Sequence, residues 1–158
     1  MMATMQFVIF NLEQEEFGVV IDQLKEIIKP PKIVSIPNTP EYIEGIINLR
    51  GEVYPIFNLR KKFGFPEKPF DDDTKIIIVT VGDTRVGFVV DEVSEIIRLE
   101  QDAIEKAPKL VSDVNRRYIS GVGKLDERMI IMLDLNLILN DDEKEQVKNV
   151  EKESDVNL

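Results

Sequence analysis

The segment FVIFNLEQEEFGVVIDQLKEII (Phe7–Ile28) returns later in the chain as IIIVTVGDTRVGFVVDEVSEII (Ile76–Ile97). Laid over one another, Gly18 falls on Gly87, Val20 on Val89, Asp22 on Asp91, Glu26 on Glu95, and Ile27-Ile28 on Ile96-Ile97. A second block repeats in the same order. YIEGIINLRGEVYPIFNL (Tyr42–Leu59) lies over YISGVGKLDERMIIMLDL (Tyr118–Leu135), with Tyr42, Ile43, Gly45, Leu49 and Leu59 recurring as Tyr118, Ile119, Gly121, Leu125 and Leu135. The second block is displaced further than the first, so the second copy carries extra residues between its blocks, within Arg98–Arg117. Two similar half-units in a chain of 158 residues predict two small barrels packed as one domain.

Working outward, Phe7–Leu12 and Phe17–Ile21 are apolar runs rich in β-formers, separated by a polar turn at Glu13-Gln14-Glu15-Glu16. Asp22 precedes Leu24, Ile27 and Ile28, a spacing that predicts a short amphipathic helix with Asp22 as its N-cap. Pro30-Pro31 would end that helix, and a short extended piece, Ile33–Ile36, follows. Thr39 and Pro40 can start one helical turn. Glu44–Leu49 and Glu52–Asn58 form a predicted hairpin about Arg50-Gly51, and Leu59–Phe63 a short helix. Val81-Gly82-Asp83-Thr84 is a second hairpin signal. Many short strands with frequent turn signals predict an all-β fold with short helices, two five-stranded SH3-like barrels on a shared apolar core, one per repeat. The helices are too short to cross over between parallel strands, which argues against a doubly wound fold. The expected organisation is a single domain over 1–140, with sub-barrels over about 6–63 and about 75–139. An acidic tail, 141–158, holds seven acids and three lysines and is expected to be dispensable for folding.

Composition removes several function classes. No apolar run approaches the ~20 residues that span a bilayer, and no basic region precedes the first apolar stretch, which leads us to expect a cytoplasmic protein. Without cysteine or histidine, thiolate chemistry, most zinc sites and histidine-based triads are removed. A net charge of −10 opposes nucleic-acid binding. Asp71-Asp72-Asp73 matches no calcium loop, and Gly121 and Gly123 lack the rest of a dinucleotide fingerprint. Asp22 and Asp91 recur at the same place, so twin N-caps explain them better than a catalytic pair. No enzyme activity, metal or cofactor is expected.

Binding remains. Arg50 in Asn48-Leu49-Arg50-Gly51 is replaced in the repeat by Asp126, and only the first copy offers Glu26 a basic partner at the hairpin tip. A Glu26–Arg50 bridge orienting a binding groove is set against an ordinary exposed hairpin arginine. Such a bridge acts through geometry, since exposed pairs stabilise by only ~0–1 kcal/mol.

The run EFGVVIDQLKEII, then IPNTPEYIEGIINLRGEVYPIFNLRKKF, VGFVVDEVSEII and YISGVGKLDERMIIMLDL resembles the CheW-like family of bacterial chemotaxis coupling proteins, over about Gln6–Leu139. INLRG followed by P-I-x-N-L is its most specific part. The same domain occurs in CheA and CheV; this chain starts at a methionine and has no kinase or receiver motif, so it is expected to be the free-standing adaptor. The resemblance implies two intertwined SH3-like barrels and a non-catalytic role linking the helical cytoplasmic tip of chemoreceptors to the histidine kinase CheA. It places a receptor groove at Leu24, Glu26, Ile27, Asn48, Arg50 and Gly51. It places a kinase-facing surface near Gly45, Thr74, Lys75 and Gly87, where Lys75 departs from the apolar residue frequent in the family. The rival expectations are a CheW-like scaffold serving a non-chemotactic kinase array and a small-molecule-binding barrel.

Overall fold

The computed structural model describes residues 4–106 and 118–139. Its elements, in chain order, are β1 (Thr4–Leu12), β2 (Glu15–Val20), a 3₁₀ turn (Ile21–Gln23), β3 (Leu24–Ile28), β4 (Ile43–Leu49), β5 (Glu52–Asn58) and α1 (Leu59–Lys62). Then follow β6 (Lys75–Val81), β7 (Thr84–Val90), β8 (Glu92–Glu100), a second 3₁₀ turn (Gln101–Ala103), β9 (Ile104–Glu105), β10 (Ile119–Leu125), β11 (Arg128–Leu133) and α2 (Leu135–Ile138). The region expected as an amphipathic helix after Asp22 is strand β3. It pairs antiparallel with β6, and tertiary pairing overrides a helical spacing carried by only three apolar residues. Thr39 and Pro40 lie outside any helix, and Val34 makes an isolated bridge to Ile46.

The strands form two sheets, ordered β8-β1-β2-β11-β10-β9 and β3-β6-β7-β5-β4. This corrects the expectation of one barrel per repeat. The first repeat contributes β1 and β2 to one sheet and β3, β4 and β5 to the other, and the second repeat does the reverse. Sub-barrel bounds of about 6–63 and about 75–139 therefore do not describe the sheets. One barrel is a continuous stretch of chain, β3 to β7. The other is split: β1 and β2 come before that stretch, and β8 to β11 after it. We call them the continuous and the split barrel.

Each sheet curls round its own core. In the split barrel Phe7, Ile9, Ile97, Leu99, Ile130 and Met132 cluster, and a Cβ on Gly123 of β10 would lie 2.8 Å from Leu99 of β8, with three strands between them in the sheet order. In the continuous barrel Ile47, Tyr54, Ile56, Ile76, Ile78 and Val89 cluster, with Ile28 and Leu49 from opposite edges packed against them. The two barrels share a third core. Because strand side chains alternate between faces, β1 sends Phe7 and Ile9 into its barrel and Val8, Phe10 and Leu12 into the shared core. Strand β6 divides Ile76 and Ile78 from Ile77, Val79 and Val81 in the same way. Both strands are apolar on both faces, which is why they read as unbroken apolar runs.

The repeat extends to irregularities. Strand β3 bulges against β6 between Leu24 and Glu26, and β8 bulges against β1 opposite Ile9/Phe10, at the repeat-related Lys25 and Ser94. Strands β4 and β10 bulge between Ile43/Gly45 and Ile119/Gly121. Asn58 and Asp134 cap α1 and α2, each accepting a backbone N–H of its helix. Tyr42 and Tyr118 come together around Lys62, whose ammonium lies 4.5 Å and 5.3 Å from their ring centroids.

Candidate functional site

The hairpin joining β4 to β5 turns through Arg50 and Gly51, with φ of 53° and 86°. Two consecutive positive φ values define the tight turn that matches the twist of paired strands. Asn48 fixes that turn, its Oδ1 accepting the Gly51 N–H at 2.9 Å. Arg50 thereby projects from the tip and donates to both carboxylate oxygens of Glu26 on β3. This pair does more than link neighbours: β3 and β4 are opposite ends of the five-stranded sheet, so the bridge closes the seam of the continuous barrel. Glu26 raises the Arg50 guanidinium above its ordinary value, first through these hydrogen bonds and then through its charge.

A second polar link spans the same seam. Lys25 donates to the hydroxyl of buried Tyr54 at 3.0 Å, and that hydroxyl donates to Glu52 at 2.9 Å. Arg85 of β7 pairs with Glu52 at 3.4 Å and lies over the Tyr54 ring. The Tyr54 hydroxyl holds the Glu52 carboxyl below its ordinary value, with the Lys25 charge adding to it. Leu24 and Ile27, on the same strand as Glu26, are half-buried against the shared core. The structure thus brings five of the six expected groove residues (Leu24, Glu26, Ile27, Arg50 and Gly51) to one seam, and sets Asn48 behind the turn as its support.

The expected kinase-facing residues are less of a surface. Gly45 and Ile56 pair across β4 and β5, and Ile56 pairs with Gly87 of β7, so the two glycines flank one residue in a single row. Both are buried. A Cβ on Gly87 would meet Ile56 at 2.6 Å and Ile76 at 2.8 Å inside the barrel. Thr74 is buried, and its hydroxyl donates to Asp71 at 3.3 Å and accepts the Asp71 N–H at 2.9 Å. Lys75 donates to the carbonyls of Asp72 and Asp73, both at 3.1 Å, which gives the triple aspartate a turn-forming role.

Three residues escaped the sequence reading. Asp91 is not an N-cap. It is buried where the chain passes from β7 to β8, and accepts the Glu13 N–H at 2.8 Å and a guanidinium N–H of Arg60 at 2.5 Å. Arg60, buried on α1, also donates to Glu13 and to the carbonyl of Pro66 at 2.9 Å. Asp22, the repeat partner of Asp91, receives no such arginine among the described residues: it is exposed within a 3₁₀ turn that has no side-chain cap. Arg128 supplies the third correction. Glu95, the repeat of Glu26, does find an arginine, Arg128, at 2.8 Å, and Arg128 pairs with Glu16 as well. These positions repeat Glu52 and Arg85 with signs reversed, a swap visible only once both strands are paired.

Comparison with known proteins decides the family. The CheW-like domain profile matches residues 6–143. The chain belongs to the CheW-like domain family. It is 38% identical over 147 residues to a chemotaxis protein CheW of Klebsiella aerogenes, covering 93% of this chain and 89% of that one. It is 34% identical over 135 residues to the Bacillus subtilis protein of the same name, covering 85% and 86%. The crystal structure of a scaffolding CheW from Thermoanaerobacter tengcongensis superposes with a TM-score of 0.82 at 36% identity, covering 90% of this chain and 97% of that one. A CheW-like chain is a non-catalytic scaffold of chemotaxis, the adaptor that couples chemoreceptors to the kinase CheA. Two SH3-like barrels are the fold of that family.

Proposed function

We propose that the seam of the continuous barrel is the receptor-facing groove of this adaptor, with Leu24 and Ile27 as its apolar floor and the Glu26–Arg50 bridge as its rim. The observation that supports it is the bridge itself, an exposed arginine held in one place by an acid across an open barrel edge. A helical receptor tip docks by apolar anchors at helical spacing, and a fixed charge at the rim sets its register. The kinase-facing surface is the end of the same barrel that carries Thr74 and Lys75. Gly45 serves it from behind by letting the Ile33–Val34 segment approach β4 closely, and Gly87 by leaving room for Ile56 of β5 and Ile76 of β6; neither makes a side-chain contact of its own. Residues 1–140 act as one unit, cytoplasmic and recruited to membrane-bound receptor arrays through these contacts.

The test is receptor-stimulated kinase activity in a reconstituted complex of receptor fragment, CheA and this chain. Arg50→Ala is expected to fold normally by circular dichroism and to lose most of the stimulation. Glu26→Ala should do the same, and the double variant should be no worse than either single, because both remove one bridge. Wild-type stimulation with Arg50→Ala would exclude the groove. Additive losses would leave Arg50 as a contact and remove the bridge.

A further inference from the structure

The chain passes between the barrels at two repeat-related points. From split to continuous it runs through Ile21–Gln23, with Asp22 at the centre. From continuous to split it runs through Asp91. The two crossings share the repeated aspartate and are treated oppositely. At Asp91 the carboxylate meets Arg60, which itself reaches Glu13 in the β1–β2 turn and Pro66 in the stretch after α1. One buried guanidinium therefore ties together α1 of the continuous barrel, a hairpin of the split barrel and the crossing itself. At Asp22 the helix that repeats α1 is α2, and the position that repeats Arg60 is Asn136, which is exposed. Asp22, Asp134 and Asn136 line a cavity of about 600 Å³, shared with Ser120 and Gln23, and among the described residues no arginine or lysine lines it.

We propose that Arg60 is a positioning residue that fixes the angle between the barrels at one crossing, and that the Asp22 crossing, lacking the equivalent arginine, is where that angle varies. A planar guanidinium with several fixed donors resists rotation of the groups it joins. An exposed asparagine beside a cavity offers no such restraint. The barrels pivot about the Arg60–Asp91 contact and open or close over the cavity at Asp22. Leu24 and Ile27 leave that crossing directly and pack on the shared core, so the angle sets the depth of the seam they line. This last consequence rests on the proposed receptor groove; the pivot does not.

The chain has no cysteine, so two introduced cysteines carry spin labels without background. Asp83 and Glu127 are exposed, on hairpin tips of the continuous and the split barrel. Distances between labels at these sites in the full chain report the angle. Asn136→Arg, which installs the missing arginine, is expected to narrow the distance distribution by about half. Adding Asp22→Asn to it should restore the original width, a reversal that better packing alone would not give. Arg60→Met with Asp91→Asn, which removes both charges, should broaden the distribution about twofold; circular dichroism checks its fold. If that pair unfolds, the Asn136→Arg arm decides alone. An unchanged width with Asn136→Arg, or an unchanged width in a folded Arg60→Met/Asp91→Asn protein, would overturn the proposal. If the widths change as expected and receptor binding by Asn136→Arg stays at the wild-type level, the groove reading loses support and the pivot stands.

Discussion

Gly45 has a φ of 145°, and a Cβ there would lie 2.1 Å from the carbonyl oxygen of Val34. That oxygen accepts the Ile46 N–H in the isolated bridge, so it cannot retreat without breaking a hydrogen bond. The recurrence of this glycine as Gly121 has the same cause, since a Cβ on Gly121 would meet the carbonyl oxygen of Glu105 at 2.6 Å. Gly45→Ala is therefore expected to destabilise the fold by roughly 2–4 kcal/mol, through backbone strain and overpacking together. Urea denaturation measures it, and a loss below about 1 kcal/mol would mean that the strand edge yields. Arg60 is the other decisive single residue. Arg60→Met leaves Asp91 buried and unpaired, and about 3–5 kcal/mol should go, whereas Arg50→Ala, at an exposed pair, should cost under ~1 kcal/mol. Thermal melts of the two variants separate a residue that holds the barrels from one that faces a partner.

Among elements, β3 departs most from its sequence reading. Asp22 followed by Leu24, Ile27 and Ile28 fits a helical face, yet the segment is extended and bulged at Lys25. The bulge keeps Leu24 and Ile27 on the shared-core side and turns Lys25 toward Tyr54 and Glu52. Glu52 belongs to this element-level latch, and its carboxyl lies below its ordinary value in the folded state. A depressed carboxyl contributes stability above the unfolded-state value and loses it as pH falls through the carboxylate range into the depressed one. The acid-side decline in melting temperature should accordingly be shallower in Glu52→Gln than in the parent chain. Melting curves recorded down through that range provide the check, and parallel declines would remove Glu52 from the latch. By contrast the β4–β5 hairpin was legible from Arg50-Gly51 alone, because turn chemistry is local.

For the whole molecule, strand exchange makes the halves interdependent. The continuous barrel, residues 24–90, contains every strand of its sheet, yet Ile77, Val79, Val86 and Phe88 point out of it into the shared core. An isolated 24–90 fragment would expose that face and is expected to be poorly dispersed by NMR and to self-associate, as large exposed apolar patches do. A well-dispersed monomeric spectrum would show that the barrel stands alone. The acidic tail, 141–158, lies outside the described residues. Truncation after Asn140 is expected to leave the melting temperature nearly unchanged, because the tail carries only Val147, Val150, Val156 and Leu158 as apolar anchors. A drop of many degrees would place the tail on a barrel.

The sequence by itself determined the repeat, the all-β class, the two hairpins at Arg50-Gly51 and Gly82-Asp83 and the family, and offered the Glu26–Arg50 pair as one of two readings. Each of these rests on local spacing, turn residues or direct comparison of two copies. Only the tertiary structure decided which strands share a barrel: either repeat's β1-type strand is apolar on both faces, which leaves its partner open in the sequence, and each pairs with the third strand of the other copy. It alone decided that Asp91 is buried against Arg60 and Asp22 is exposed. The two aspartates occupy the same place in the repeat, and what separates them is Arg60 against Asn136, residues brought beside them by a fold that no short window of sequence contains.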